Sequence, residues 1–156
     1  MEAFLAGLEA TAPAQWLRAS RLGYAAVSGA HIFGIALLIG AILPLNLRLL
    51  GLWSSIPRAN LLRVLVPVAA TGLVLAAVTG SFLFSVRAQE YADIRYFQVK
   101  LFLIIVGLLS ALVVHRAHGL TLEGASERRL RFHALLSLGS WLGALACGRM
   151  IAFAID

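Results

Sequence analysis

The sequence predicts an all-α integral membrane protein, an up-and-down bundle of four helices preceded by a short N-terminal interfacial segment. Of its 156 residues, 61% are hydrophobic and 13% are charged, whereas soluble domains carry roughly 25% charged residues. Four apolar stretches are each close to the roughly 20 residues that a helix needs to cross the hydrocarbon core. We therefore expect a single membrane domain over residues 1–156. Its predicted spans are residues 22–43, 64–86, 96–115 and 132–155.

The segment before the first span is not typical of a cleavable signal, because it contains Glu2 and Glu9 and lacks a basic region ahead of its apolar residues. Residues 4–17 instead predict a short amphipathic or loop segment at the membrane interface. Trp16 would anchor this segment, since tryptophan is enriched at headgroup level.

The connections predict where the spans begin and end. Pro44 is expected to mark the end of the first span, followed by an apolar stretch, residues 45–53, along the interface. The second helix is expected to begin near Leu61. The polar residues 87–95 predict a loop, and Gly119 is a helix stop. Because all connections are short, sequential spans should be antiparallel neighbours.

Basic residues predict the orientation. The connections at 44–63 and 116–131 carry seven arginines and the opposite side carries four, which favours cytoplasmic loops at 44–63 and 116–131. Both termini would then be periplasmic, in a bacterial inner membrane. The seven are Arg48, Arg58, Arg63, Arg116, Arg128, Arg129 and Arg131, and the four are Arg18, Arg21, Arg87 and Arg95.

His31 lies inside the first apolar stretch, about 15 Å from the predicted membrane boundary at the rise of a helix. An ionisable residue inside a membrane span marks a functional site by default, because it needs a partner there. Lys100 and Arg149 lie about 6 and about 9 Å from the same face. This pattern predicts a haem with His31 as axial ligand and Lys100 and Arg149 on its propionates.

Structural alternatives exist for each of these residues. Lys100 and Arg149 are near enough to a boundary to extend their charges to it. A hydrogen bond to Ser28, Thr79 or a neighbouring backbone carbonyl would satisfy His31. No second histidine is expected at the depth of His31, so the other axial position has no obvious protein ligand.

His115 and His133 form a second level near the opposite face, at the end of the third span and the start of the fourth. A pair from adjacent helices could ligate a second haem or another metal, since imidazole suits zinc, copper and iron. His118 lies one turn beyond His115 on the same face. Histidines at a membrane edge also contact phosphates without any cofactor, and that alternative stays open for all three.

Small residues recur every four positions in the first and fourth spans, which predicts close helix packing or a groove for a flat ring. They are Ala26, Ala30 and Gly34 in the first span, and Gly139, Gly143 and Cys147 in the fourth. With Cys147 as the single cysteine, no internal disulfide forms. Covalent c-type haem attachment is excluded because there is no C-x-x-C-H motif.

Scattered motifs between about Trp16 and Phe153 carry a family resemblance. They are His31-Ile-Phe-Gly, Arg48-Leu-Leu-Gly, Thr79-Gly80 followed by Leu83-Phe84, then Tyr91, Phe97, Lys100, His115 and Gly148-Arg149. The chain resembles a family of small bacterial four-span membrane proteins known mainly as a domain of unknown function. The resemblance implies the fold and a set of marked polar positions, namely His31, Arg48, Lys100, His115 and Arg149.

The chain is more loosely similar to membrane four-helix b-type cytochromes, in which histidines on facing helices hold haem. That similarity would favour His31 with His115, although their predicted depths differ by about 13 Å. Either the helix boundaries differ from those predicted, or these histidines serve different sites.

We therefore expect a haem b-binding protein, with one or two haems, that carries electrons between the quinone pool or a redox partner and an acceptor. A cofactor-free structural or accessory subunit is the main alternative. A transporter ranks last because no inverted repeat or broken helix pair is visible. Any enzymatic activity would be redox, since no nucleophile motif, carboxylate pair or phosphate loop occurs. The net charge of +6 indicates lipid contact rather than nucleic acid, and self-association is left open.

Overall fold

A computed structural model of the chain describes residues 1–122 and 124–154. Over these residues the structure is all-helical, which confirms the predicted fold class. Four helices are long and apolar enough to cross a membrane, so the chain is a multi-pass membrane protein. In chain order the helices are α1 (Glu2–Glu9), α2 (Ala12–Ala19), α3 (Arg21–Leu49), α4 (Arg58–Val86), α5 (Ala88–Asp93), α6 (Arg95–His118) and α7 (Glu127–Ile151).

The first membrane helix is longer than predicted. Helix α3 continues through Pro44 to Leu49, so the helix extends beyond the membrane boundary predicted at Pro44. Proline removes one backbone donor from a helix, but here the following turn is held by packing. Asn46 and Leu49 are only 4% and 8% exposed, and Leu49 belongs to the core of the bundle.

Residues 88–93, which lie in a predicted loop, form α5. The N-terminal segment, predicted as either amphipathic or loop, is helical and forms α1 and α2. Tertiary contact explains both, since α5 packs against α1 and Ala88 is fully buried between neighbouring elements. The Glu9 carboxylate also accepts a hydrogen bond from the backbone N–H of Gln89, 2.9 Å away.

The remaining boundaries lie near those predicted. Helix α4 begins at Arg58 rather than near Leu61. Helix α6 ends before Gly119, whose φ of 68° confirms it as the helix stop. Helix α7 begins earlier than residue 132, and the predicted end of the last span, residue 155, lies outside the described residues.

The contacts between the four membrane helices are uneven. Helix α3 packs against α4, α6 packs against α7, and α3 also contacts α7. In the part of the chain that the structure describes, α4 and α6 nowhere bring their Cα atoms within 8 Å of each other. Helices α4 and α6 therefore approach each other less closely than the other neighbouring pairs do.

Helices α3 and α4 make their closest approach at two glycines. A Cβ added to Gly34 would lie 2.7 Å from the backbone nitrogen of Ala76, and one added to Gly72 would lie 2.6 Å from that of Leu38. Packing of this closeness is typical of small residues in membrane helices. The prediction of close packing through small residues is thus confirmed for Gly34.

We call the end of the bundle that carries α1, α2 and α5 the capped end, and the opposite end, with residues 50–57 and 119–126, the loop end. The buried apolar cluster lies at the loop end. It comprises Leu49, Leu62, Val114, Leu122, Leu130 and Ala134. At the capped end, the Arg18 guanidinium of α2 donates to the carbonyl of Val86, the last residue of α4.

Candidate functional site

The His31 ring turns from α3 toward α4. Its Nδ1 atom lies 2.9 Å from the carbonyl oxygen of Ala76 and 3.2 Å from the Thr79 hydroxyl oxygen. A carbonyl can only accept, so Nδ1 carries the proton and donates. The Thr79 hydroxyl donates to the Leu75 carbonyl, 2.6 Å away, which leaves its oxygen free to accept from His31 as well.

This geometry leaves Nε2 as the lone-pair nitrogen of the neutral ring. Among the described residues, every hydrogen bond of His31 is made by Nδ1. The structural alternative is therefore confirmed for one ring nitrogen, through Thr79 and a neighbouring carbonyl rather than through Ser28. The same geometry is typical of a metal ligand, because a ligating histidine usually donates its other ring N–H to a carbonyl or carboxylate.

Gly80 provides the surface on which the His31 ring rests. A Cβ built on Gly80 would lie 2.8 Å from Cε1 of His31 and 3.3 Å from Nδ1. No side chain fits there without displacing the ring. Helix α4 thus holds the His31 ring by two hydrogen bonds. The ring also packs directly on the backbone at Gly80, where no side chain intervenes.

Lys100 of α6 reaches the same level of the bundle. Its charge lies close enough to act on His31 and on Cys147 of α7. Its Nζ atom would be 3.8 Å from a Cβ built on Gly148. We call His31, Thr79, Lys100 and Cys147 the His31 cluster, and its members come from all four membrane helices.

Lys100 brings a positive charge into this cluster, and no carboxylate of residues 1–122 and 124–154 forms a salt bridge with it. The two salt bridges among the described residues lie elsewhere, between Arg58 and Glu127 and between Arg87 and Glu90. A lysine inside a membrane segment normally pairs with an opposite charge or faces a polar cavity. The cluster is therefore electrostatically suited to an anionic group.

Arg149 is not part of the His31 cluster. It is exposed on α7, and its guanidinium carbon lies 4.8 Å from the centre of the Phe153 ring. Adjacent residues of a helix point about 100° apart, so the neighbouring Gly148 faces Lys100 while Arg149 faces outward. The structure thus brings together His31 and Lys100, but not Arg149.

A cavity of about 200 Å³ lies at the loop end between all four membrane helices. Its walls are mostly apolar, and its polar residues are Asn46, Ser110, His115, His133 and Ser137. Asn46 donates to the Ser137 hydroxyl, 2.9 Å away, which joins α3 to α7. Nδ1 of His133 lies 2.8 Å from the Ser110 hydroxyl oxygen, which joins α7 to α6.

His115 and His133 therefore meet at one cavity, as their predicted common level implied. Nδ1 of His115 lies 3.3 Å from the Gly119 carbonyl. Ligand pockets for drug-sized molecules hold about 300–1,000 Å³, so this cavity is small for a macrocycle. His118 lies apart from it, with Nε2 3.1 Å from an Arg129 guanidinium nitrogen.

His31 and His115 do not share a level. His31 contacts α4 between Ala76 and Gly80. The cavity lined by His115 begins on α3 only at Leu38, which is closer to the loop end than His31 is. Nowhere in residues 1–122 and 124–154 do three His, Cys, Asp or Glu side chains come together as a metal site. The pairing of His31 with His115 is not formed in this structure.

Sequence reasoning missed several residues of these sites. Gly80 had been noted only as part of the Thr79-Gly80 motif, and Cys147 only as a small residue. Asn46 had not been singled out, although an amide in an apolar stretch next to a proline is a visible polar signal. Ser110 and Ser137 gave no such signal, because single serines are common in membrane helices.

No family model, no curated protein and no solved structure matches the chain. The resemblance to the small four-span family and to the b-type cytochromes therefore stays a prediction.

Proposed function

We propose that the chain is a haem b-binding protein of the bacterial inner membrane that carries electrons, with His31 as an axial ligand. The observation that carries the proposal is the hydrogen bond from Nδ1 of His31 to the Ala76 carbonyl. It holds the imidazole in one tautomer and one orientation inside the bundle, with Nε2 available. Such an outer contact also raises the basicity of a ligating imidazole.

The residues around His31 fit a haem in kind. The unprotonated nitrogen of a neutral imidazole can bind iron. Glycines at positions 80 and 148 keep side chains away from the His31 ring and from Lys100. In this proposal a flat molecule would enter between α4 and α6, the neighbouring helices without close backbone contact. When bound, the haem would supply one-electron redox chemistry, and the protein would supply ligation, orientation and electrostatics.

Lys100 has a defined role in this proposal. Its ammonium would balance a propionate carboxylate, since the cluster otherwise holds a positive charge without a partner. Arg149, exposed beside Phe153, would meet a propionate only where it emerges at the surface of α7. The His31 cluster contains Lys100 but no second histidine. The proposed haem therefore needs only one histidine ligand.

We propose one haem per chain rather than two. The loop-end cavity, at about 200 Å³, is close in size to the 150 Å³ of an engineered cavity that holds benzene. It therefore suits a single ring, such as a quinone headgroup, better than a porphyrin. His115 and His133 would then be hydrogen-bonding groups of that cavity and not iron ligands.

The test is an oxidised-minus-reduced optical spectrum of the detergent-purified protein, with a pyridine haemochrome count per chain. We expect a Soret band, a sharp α band and a count of one haem b. Expression should be supplemented with a haem precursor, so that a low count does not reflect limited supply. A colourless protein under those conditions would contradict the proposal.

A second prediction concerns Gly80→Ala. The added methyl group would lie 2.8 Å from Cε1 of His31, so the ring must move and its bond to Ala76 must change. We expect haem to be retained with shifted absorption maxima and a shifted reduction potential. Gly139→Ala is the matched control, because nothing lies within 4 Å of that Cβ. Identical spectra for both variants would refute the placement of haem at His31.

The alternative function, a cofactor-free structural or accessory subunit, is favoured by a different observation. Gly29 and Gly40 lie on one face of α3, and nothing lies within 4 Å of a Cβ built on either. Such open small residues are the surface that a partner helix packs against. A cofactor-free protein that co-purifies with a stable membrane partner would support this alternative.

The proposed orientation follows the arginine distribution, with the loop end cytoplasmic and the capped end periplasmic. With this orientation the His31 cluster lies in the periplasmic half of the bundle and the loop-end cavity in the cytoplasmic half. An electron carrier with two such sites would connect a haem near one face with a ring-binding cavity near the other.

A further inference from the structure

Three arginines surround a second cavity, at the capped end of the bundle. The cavity has a volume of about 520 Å³ and is lined by Arg18, Arg21, Tyr24, Arg87 and Tyr91, with Leu17 and Val86. We call it the arginine pocket. Its residues come from α2, α3, the end of α4 and α5, so it forms only when the short helices cap the bundle.

The charges of the arginine pocket are poorly balanced. Arg87 pairs with Glu90 at 3.3 Å, and within residues 1–122 and 124–154 no carboxylate lines the pocket itself. Arg18 uses one nitrogen to bind the Val86 carbonyl, which fixes its guanidinium but does not neutralise it. Arg21 takes part in neither of the salt bridges found among the described residues. The pocket therefore keeps an excess of positive charge.

The tyrosines add neutral donors. Burial raises the pKa of the Tyr91 phenol, and the neighbouring Tyr24 phenol raises this pKa further. Tyr91 therefore stays protonated at neutral pH and shares its one O–H with Tyr24, so the O–H of Tyr24 is the one that can donate into the pocket. Arginine forks and phenol donors together are a donor set that matches the oxygens of a phosphate group.

The position of the pocket indicates where such a group would come from. Arg21 begins α3 and Val86 ends α4, so the pocket lies where two membrane helices leave the hydrocarbon core. Phe84 and Phe97 stack beside Tyr91, with ring centres 5.1 Å apart, and aromatic side chains are enriched at this depth. Basic pockets between membrane helices bind the headgroups of anionic lipids.

We propose that the arginine pocket binds a phosphate group, with Arg21 and Arg87 as its charged contacts, Arg18 as a fixed wall and the Tyr24–Tyr91 pair as the neutral donor. The inference does not depend on haem, because none of these residues belongs to the His31 cluster.

The test is native mass spectrometry of the detergent-purified protein with added phosphatidylglycerol, and with phosphatidylcholine as the zwitterionic reference. We expect the wild type to retain phosphatidylglycerol preferentially. The double variant Arg21→Gln/Arg87→Gln should bind it about thirtyfold more weakly, because each basic residue near a lipid surface contributes about a factor of five. Arg18 is left unchanged, since its bond to Val86 supports the fold.

Arg95→Gln/Arg63→Gln is the matched control. It removes the same charge, one arginine from each end of the bundle, and neither residue lines the pocket. An equal loss of lipid in this variant, or no preference for phosphatidylglycerol in the wild type, would overturn the proposal. Helical content and melting temperature should be unchanged in both variants, and a folded double variant that binds like the wild type would overturn it as well.

Inorganic phosphate distinguishes the two sources of the group. Displacement of the lipid by millimolar phosphate would show that the pocket takes the phosphate group itself. Retention of the lipid against phosphate would show that it takes a phosphate carried by a lipid. Both results support the proposal and assign the source.

Discussion

His31→Ala should reduce the haem content of the purified protein by about tenfold or more. The substitution removes the one imidazole of the His31 cluster, and changes at the partners of a metal ligand alone typically cost 10–100-fold in affinity. The measurement is the pyridine haemochrome count per chain, normalised to protein. Because His31 is only partly buried and makes its hydrogen bonds to α4 only through Nδ1, we expect the variant to fold.

Two further measurements separate ligation from a structural role. Exogenous imidazole, added during reconstitution with haem, should restore a Soret band in His31→Ala, since the cavity left by the ring can admit it. His118→Ala is the control, because His118 contacts Arg129 at the loop end, away from the cluster. Undiminished haem in His31→Ala, or an equal loss in His118→Ala, would refute the assignment of His31.

The fold class was predictable because it follows from composition and span length. The apolar stretches leave few alternatives to membrane helices. The end of a helix at Gly119, which has a positive φ, can be recognised from the glycine in the sequence. The boundary at Pro44 was not predictable, since the helix continues only because Asn46 and Leu49 are buried against other helices. Tertiary packing therefore overrides a local breaker signal.

The same distinction applies to the candidate site. Depth counted from one membrane face predicts His31 about 15 Å and Lys100 about 6 Å inside, so their approach could not be anticipated from depth alone. Nor could the exclusion of Arg149, since it depends on the rotation of α7, which places Gly148 toward Lys100. The depth of a residue in the membrane can be estimated from the sequence, whereas the face that a helix turns inward depends on the helices around it.

Contacts between side chains of different helices could not be predicted from the sequence either. Asn46 and Ser137 are far apart in the chain, and their hydrogen bond depends on α3 packing against α7. The missing contact between α4 and α6 has no signature in either helix. In the proposed function this is where a flat ligand would enter, so that function depends on structure more than on motif.

Gly72→Ala should destabilise the bundle and also weaken the His31 site. The added Cβ would lie 2.6 Å from the backbone nitrogen of Leu38 and 2.7 Å from the Gly34 carbonyl oxygen. These are backbone atoms, so no side-chain rotation relieves the overlap and the two helices must separate. Overpacking of this kind typically costs about 1–3 kcal/mol, and we expect a value at the upper end.

The consequence for function follows from the position of Gly72. It lies one turn of α4 from Ala76, the residue whose carbonyl holds His31, so separation of α3 from α4 should lengthen that hydrogen bond. Thermal unfolding followed by circular dichroism should show a lower melting temperature, and haem content should fall with it. Gly40→Ala is the control, because its Cβ meets nothing within 4 Å and alanine is the better helix former. A melting temperature that changes equally in both variants would show that the glycine contact does not hold the two helices together, and that His31 owes its orientation to something other than the packing of α3 on α4.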